Sequence, residues 1–205
     1  MMTPNKIFPN ELISLIETHK KWLSDRNSNK KLELIGQVIE NISVSEVDFQ
    51  EAVMVRCNLV NVNFNECNFH GAVFIDSTFE ECSFINCYMR KADFRSANIM
   101  GVNFLNSVLL KVDMQDAVAV GANFTNCDLG GADFIRADLR ESIFENANLE
   151  WAAFVNAKMG NTKRYHIRSL SNIRLAGSID ISAKGDGTIL IDSREELVNY
   201  LAITD

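Results

Sequence analysis

ANFTNCDLGGADFIR, running from Ala122 to Arg136, consists of three five-residue units that each have a large apolar residue at the centre. The same spacing extends without an insertion from Val47 to Asn161, where 23 successive central positions (i) hold large apolar residues except at Ala119. Two residues earlier, at position i−2, the residue is always Ala, Val, Cys or Ser. A period of five fits neither a helix nor a strand. The pattern therefore predicts a coil whose five-residue sides point i and i−2 inward.

A second period, of twenty residues, supports a coil with four sides. Every fourth centre on one side is phenylalanine, giving the series Phe64, Phe84, Phe104, Phe124 and Phe144. The outward i+2 positions of that side include four asparagines, namely Asn86, Asn106, Asn126 and Asn146. Stacked asparagines predict a ladder of side-chain amides bonded from coil to coil.

Three of the units, Ala92–Ser96, Ala122–Asn126 and Ala132–Arg136, resemble the A(D/N)LXX consensus of the pentapeptide-repeat family. The resemblance covers residues 47–161. It implies an all-β solenoid, a right-handed four-sided β-helix, and the 23 sides predict about six coils.

The regions on either side of the repeats predict terminal caps. We expect three parts: an N-terminal helix and irregular start of the coil in 1–46, the β-helix in 47–161, and a hairpin plus helix in 162–205. The first helix has Asn10 as a candidate N-cap. The hairpin places its turn at Lys184–Gly187, and Ser193 to Glu196 has the spacing of a capping box. Solenoids need caps because a bare end exposes apolar core and unpaired strand edges.

The sequence offers no candidate for catalysis, for a cofactor or for a metal. All five cysteines occupy i−2 positions, where a small side chain fits a narrow interior, so we interpret them as packing residues. The three histidines are scattered and lack metal-ligand spacing. We therefore expect a protein that is not an enzyme.

The net charge of −7 lies in the repeats, which hold 15 acids and eight bases. Such a surface disfavours direct binding of nucleic acid and favours a protein partner. Asp93, Asp113 and Asp133 are spaced by twenty and form a candidate acidic column. The alternative is that these side chains only bond to the backbone of turns.

Two functions follow from this surface. The first is a non-enzymatic interaction scaffold that presents an acidic rod to an unknown protein partner. The second comes from the resemblance, because the family includes fluoroquinolone-resistance proteins that bind DNA gyrase and topoisomerase IV by mimicking DNA. The charge is spread over all four sides, and the repeats contain no inserted loop, which favours the scaffold.

A candidate partner contact lies near Ala119. Several apolar residues occupy outward positions within a short span, and we name this set the mid-rod belt: Met100, Leu105, Val108, Leu110, Val118 and Val120. Exposed apolar patches often mark contacts, although a β surface also tolerates Val and Leu. A homodimer is compatible with the sequence but is not indicated by it. No stretch is long and apolar enough for a membrane span, and we expect a cytoplasmic location.

Overall fold

A computed structural model describes residues 5–27, 29–164, 166–175, 177–182 and 190–202. Two helices flank a long series of short extended segments. In chain order these elements are β1 (Asn5–Ile7), α1 (Pro9–Ser24), β2 (Glu33–Ile35), β3 (Gln37–Ser45), β4 (Val53–Val55), β5 (Asn58–Asn65), β6 (Thr78–Glu80), β7 (Ser83–Ile85), β8 (Ile179–Asp180), β9 (Leu190–Ile191) and α2 (Arg194–Ala202).

Parallel pairing between residues twenty apart builds the solenoid. Strand β3 pairs with β5, and β5 pairs with both β6 and β7. Later sides pair through single residues, as in Asp93 with Asp113 and Asn103 with Asn123. Backbone hydrogen bonds follow the same register, for example Phe124 N to Ile143 O at 2.8 Å. The chain is therefore a β-helix with twenty residues in each regular coil.

The corners of the coil are left-handed at every fifth residue. From Gly36 to His166 each i+2 position has a positive φ, between 51° at Asn61 and 70° at Gly131. This conformation costs most L-residues roughly 1 kcal/mol, and glycine and asparagine tolerate it best. The regular corners show that pairing between coils and core packing outweigh this local strain.

The regular register begins earlier than the sequence pattern indicates. Corners occur at Gly36, Asn41 and Glu46, and Ile39 and Val44 are buried as central residues. The preceding i−2 positions hold Gln37 and Ile42 instead of small residues, which conceals the repeat in the sequence. The first turn is thus more regular than expected.

The coil also continues past Asn161, but with added residues. Asn148 pairs with Ser169, 21 positions later, and Lys158 pairs with Asp180, 22 positions later. Single-residue additions of this kind break the five-residue frame without ending the coil. Strands β8 and β9 then pair antiparallel, as the hairpin prediction requires, whereas the predicted Lys184–Gly187 turn lies outside the described residues.

The phenylalanine series forms a continuous stack inside the coil. Ring centroids lie 5.4 Å apart between Phe84 and Phe104, 5.3 Å between Phe104 and Phe124, and 5.2 Å between Phe124 and Phe144. From Phe64 to Phe144, successive rings of the stack are within 20° of parallel. Phe94, from the opposite side of the coil, meets Phe104 edge to face at 5.9 Å. These offset and edge contacts are the favoured aromatic arrangements, and the predicted column is confirmed.

The N-terminal helix differs from the prediction in its cap and its buried face. It begins at Pro9 with Phe8 as the N-cap, so the proposal of Asn10 was wrong. Proline suits the first helical position because its φ is fixed and its missing N–H would be unpaired there. Leu12 and His19 are buried, while Ile13 is 56% exposed. The buried face thus includes a histidine that the apolar pattern did not select.

The C-terminal helix docks on the last coils. Glu196 N donates to Ser193 Oγ at 3.1 Å, as the capping box predicts, whereas Glu196 Oε2 accepts from Asp192 N at 3.2 Å instead of from Ser193 N. Leu197 and Leu201 are fully buried. The Tyr200 hydroxyl donates to Met159 O at 2.6 Å.

Candidate interaction surface

The acidic column lies on one side of the coil, which we name the Phe94 side after its central residue. Asp93 pairs with Asp113, and Asp113 pairs with Asp133, in consecutive coils. Each Oδ1 accepts a backbone N–H two residues later: Arg95 N at 3.1 Å, Gln115 N at 3.0 Å and Ile135 N at 2.9 Å. The expected bonding of aspartate to turn backbone is therefore present.

Asparagine makes the same turn bond at equivalent positions on other sides. Asn98 Oδ1 accepts from Met100 N at 3.2 Å, and Asn123 Oδ1 accepts from Thr125 N at 3.0 Å. The local structure thus requires an oxygen acceptor and not a charge. The three negative charges of the acidic column are not explained by the turns that hold them.

Internal cations neutralise this column incompletely. Arg95 Nη2 lies 2.6 Å from Asp93 Oδ2, but its Nε is 3.7 Å from Asp113 Oδ2. Burial, together with the charges of Asp93 and Asp133, raises the pKa of the Asp113 carboxyl above its ordinary value. By contrast, Asp116 and Arg136 stack as a close ion pair at 2.6 Å. The carboxylates of the acidic column therefore repel one another, whereas Asp116 at the neighbouring corner is paired with a cation.

The mid-rod belt is divided among three sides of the coil. Met100, Val118 and Val120 lie on one side, and Met100 and Val118 are 52% and 37% exposed. Leu105 lies on the next side, and Val108 and Leu110 lie on the one after that. The belt is therefore not one surface: three of its residues share one side, two share another, and Leu105 lies on the side between them.

Leu110 borders a groove that the sequence analysis missed. The groove has a volume of about 780 Å³ and is lined by Leu110, Lys111, Gly130, Gly131, Asn148, Glu150, Trp151 and Arg174. A Cβ at Gly130 would lie 2.9 Å from Leu110 Cδ2, so Leu110 leans over the glycine. Trp151 remains 54% exposed. The sequence indicates this groove through the pair Gly130–Gly131, which lies twenty residues before Glu150–Trp151 and therefore on the same side of the coil.

A second missed feature is an apolar patch at the N-terminal end of the Phe94 side. Its members are outward residues of three consecutive coils: Ile35, Val53, Val55, Val73 and Ile75. Ile35 is 55% exposed and the other four are partly exposed. Sorting the outward positions by the twenty-residue period would have placed Val53 with Val73, and Val55 with Ile75.

Comparison with known families agrees with this architecture. The family model described as pentapeptide repeats (8 copies) matches residues 44–80, and the model described as pentapeptide repeat region matches residues 77–154. Together the two matches span more than half of the chain. This chain belongs to the pentapeptide-repeat family. Its solenoid is accordingly a right-handed β-helix.

Several solved structures are similar to this pentapeptide-repeat protein over part of their length. A pentapeptide repeat protein from the thylakoid lumen of Arabidopsis thaliana is 23% identical, with a TM-score of 0.45, covering 50% of this chain and 70% of that one. HetL of Nostoc sp. strain PCC 7120, involved in heterocyst differentiation regulation, is 13% identical, with a TM-score of 0.38, covering 86% and 94%. QnrB1, a plasmid-mediated fluoroquinolone resistance protein, is 19% identical, with a TM-score of 0.30, covering 72% and 86%. A search of curated proteins gave no match.

The cysteines of this pentapeptide-repeat chain are buried and free. Their thiols point to backbone carbonyls, as in Cys127 Sγ to Phe104 O at 2.9 Å. Burial raises the pKa of the Cys57 and Cys82 thiols, and raises that of Cys127 to about 12. Within the described part of the chain, no group of three or more His, Cys, Asp or Glu residues could hold a metal ion. Nor does any described helix have the length and apolar character needed to cross a bilayer.

Proposed function

We propose that this protein is a non-enzymatic interaction scaffold that presents an acidic rod to a protein partner. Its regular part comprises about six coils, and α1 and the β8–β9–α2 region cap the two ends. The observation that carries the proposal is the acidic column. Asparagine satisfies the same turn bond elsewhere, so the carboxylates of Asp113 and Asp133 add charge that the fold does not use. We further propose a cytoplasmic location.

Affinity capture tests this proposal with variants that keep the turn bonds. The double variant Asp113→Asn and Asp133→Asn retains both Oδ1 acceptors but removes two charges. A matched control, Asp48→Asn with Asp128→Asn, removes two charges from another side, where Oδ1 likewise accepts Gln50 N and Gly130 N. We expect proteins captured from the source cell by the wild type to be lost with the first variant and kept with the control. Equal capture by both variants would reject a role for the column.

The mid-rod belt remains a second proposed contact, for a partner or for self-association. Leu105→Ser with Leu110→Ser tests two of its sides, and Met100→Ser with Val120→Ser tests the third. We expect either a lower mass in light scattering or a loss of captured partners. If both variants keep the mass and the captured partners of the wild type, the mid-rod belt is not a contact surface.

Modulation of DNA gyrase or topoisomerase IV is the alternative proposal, and the geometry gives it less support. Left-handed corners follow one another every five residues from Gly36 to His166, so no loop interrupts the coil among the described residues of that range. A supercoiling assay with purified gyrase, with and without a quinolone, separates the two functions. Inhibition or protection at micromolar protein would favour the alternative over the scaffold.

A further inference from the structure

Two chemically different surfaces follow one another along the Phe94 side. The apolar patch occupies the first three coils of this side, and the acidic column occupies the next three. The register joins them directly, because Val53 pairs with Val73 and Val73 pairs with Asp93. In the parallel column, Ile35 pairs with Val55. The side is therefore amphipathic along the axis of the rod.

Charge at the junction is largely compensated within the chain, whereas charge further along is not. Arg95 donates three side-chain hydrogen bonds to Asp93: Nε to Oδ1 at 3.0 Å, Nε to Oδ2 at 3.1 Å and Nη2 to Oδ2 at 2.6 Å. Asp113 Oδ2 is 3.7 Å from that guanidinium, and its side chain is 34% exposed. Asp133 Oδ2 accepts only from the neutral amide of Gln115, at 3.3 Å. A cation from outside would thus find its counter-charges at Asp113 and Asp133.

We propose that the Phe94 side docks a protein segment in which an apolar cluster is joined to basic side chains. The apolar cluster covers the patch, and Lys or Arg side chains pair with Asp113 and Asp133. This inference rests on the proposed scaffold function and adds the chemistry of the partner.

A second copy of this chain fits the same side poorly. A two-fold axis perpendicular to the rod at the junction would place each apolar patch against the acidic column of the other copy, so that carboxylates lose water without gaining a partner. The same axis through the middle of the patch would pair the two patches but leave both acidic columns uncovered. A two-fold axis along the rod would place the two acidic columns face to face, where like charges repel. The occupant that satisfies both halves of the side is therefore a different protein.

Coil spacing sets the geometry of that segment. The middle of the apolar patch, at Val53 and Val55, lies three coils from Asp113, or about 14 Å at the usual spacing of stacked strands. An extended peptide covers this distance in about four residues. The heptapeptide Val-Thr-Val-Thr-Arg-Thr-Arg has its valine pair and arginine pair separated by that length and serves as the probe.

Titration of the ¹⁵N-labelled full chain with this heptapeptide tests the proposal. We expect chemical-shift changes at residues 53–55, 73–75, 113–115 and 133–135. Val55→Thr with Ile75→Thr keeps β-branched side chains and removes apolar surface, and Asp113→Asn with Asp133→Asn removes charge. Each double variant should weaken binding about fivefold or more. Peptides in which Ser replaces both Val residues, or Gln replaces both Arg residues, should also bind about fivefold more weakly or worse.

Two control variants address nonspecific effects. Ile85→Thr changes an equivalent outward position on the side centred on Phe84, and Asp48→Asn with Asp128→Asn changes charge elsewhere. Both should alter binding by less than about twofold. Absence of binding, shifts confined to other sides, or equal weakening by the controls would overturn the proposal. The proposal would also be overturned if the wild type forms a dimer and the double variant Val55→Thr with Ile75→Thr is a monomer, because the apolar patch would then bind a second copy of the chain.

The outcome separates this inference from the scaffold function. If cellular capture depends on Asp113 and Asp133 while the heptapeptide is insensitive to Val55→Thr with Ile75→Thr, the scaffold stands and the amphipathic partner is rejected. If neither capture nor heptapeptide binding responds to loss of the two carboxylates, both proposals fall.

Discussion

At the scale of single residues, the corner asparagines perform two roles at once. Their backbone adopts the left-handed conformation, and their amides bond from coil to coil. Asn106 Nδ2 donates to Asn86 Oδ1 at 3.2 Å, Asn126 to Asn106 at 2.9 Å, and Asn146 to Asn126 at 2.7 Å. The predicted amide ladder is confirmed, and it lies at positions where asparagine is also favoured by conformation.

Substitution at Asn106 separates these two roles. Asn106→Gly keeps the left-handed corner and removes two ladder bonds, so we expect a loss of about 1 kcal/mol. Asn106→Ala adds the conformational penalty, for a total of roughly 2–3 kcal/mol. Urea unfolding followed by circular dichroism should give the stability order Asn, Gly, Ala. An alanine variant as stable as the glycine variant would show that the corner carries no strain.

His19 is a buried titratable group within the N-terminal helix. Its Nδ1 accepts from Leu32 N at 3.0 Å, its ring stacks on Trp22 at 5.4 Å, and its Nε2 makes no hydrogen bond to any of the described residues. Burial lowers the pKa of His19 below its usual 6.5, although the charges of Asp48 and Glu51 oppose this shift. The folded state therefore favours the neutral imidazole, which can accept the Leu32 N–H.

Acid should weaken the packing of this helix. Because the folded pKa of His19 lies below the unfolded value, the unfolded chain binds more protons, and stability falls as pH drops from about 6.5 toward the folded pKa. Thermal melts from pH 8 to pH 5.5 should show a declining midpoint that flattens in His19→Gln. His166→Asn is the control, since His166 is exposed and asparagine suits its left-handed φ of 52°. An identical pH slope in His19→Gln would contradict the assignment.

At the scale of elements, α2 is attached to the coil by a polar contact as well as by leucines. Arg164 occupies the central position one coil after Phe144, and its guanidinium lies 3.7 Å from the centre of the Tyr200 ring. The Tyr200 hydroxyl contacts both Met159 O and Thr162 Oγ1, at 2.6 and 3.1 Å. An aromatic ring from the helix thus covers the cation that follows the phenylalanine stack.

Removing one hydroxyl should loosen this helix. Tyr200→Phe retains the ring over Arg164 but leaves Met159 O without that donor, so we expect a cost of about 1–2 kcal/mol. Hydrogen exchange should quicken within Arg194–Ala202 while the repeat coils keep their protection. Tyr88→Phe, at a side chain that is 40% exposed, is the control and should change neither. Unchanged exchange in Tyr200→Phe would show that Leu197 and Leu201 alone hold the helix.

At the scale of the whole molecule, the buried apolar side chains of the described residues form one continuous cluster. The buried cluster includes residues from Ile7 to Leu201, and it contains the central residues and most of their small i−2 neighbours. The backbone pairing joins each coil to its neighbours in the stack, which is how solenoids distribute stability. Chemical access to the interior therefore requires local opening of coils.

The five cysteines report on such opening. All are buried, and burial raises the pKa of Cys57, Cys82 and Cys127, so their reactive thiolate is scarce. A hydrogen bond with Cys87 lowers the pKa of Cys67, whose protection therefore rests on its burial. We expect no labelling by an aromatic disulfide reagent at pH 8 in the native protein and five equivalents after unfolding in urea. Rapid labelling of any thiol without denaturant would show that the column opens more easily than its packing indicates.

How far the sequence predicts the fold depends on how strictly each position is constrained. From Val47 to Asn161 the inward positions accept only a narrow set of residues, so the coil, the phenylalanine stack and the amide ladder follow from the pattern. The first turns did not match the five-residue pattern because Gln37 and Ile42 occupy positions where the pattern requires small residues. The last turns did not match because residues are added before Ser169. In α1, the apolar pattern missed His19, since a buried histidine depends on a specific donor, Leu32 N.

The sequence by itself determined the family, the solenoid and the inward side chains, because a repeat of five restricts every interior position in the same way. Only the tertiary structure decided which outward residues share a side. Outward positions face solvent and are not restricted by packing, and neighbours there are twenty residues apart. For that reason the residues of the mid-rod belt lie on three different sides, whereas Val53, Val73, Asp93 and Asp113 lie next to one another on the same side.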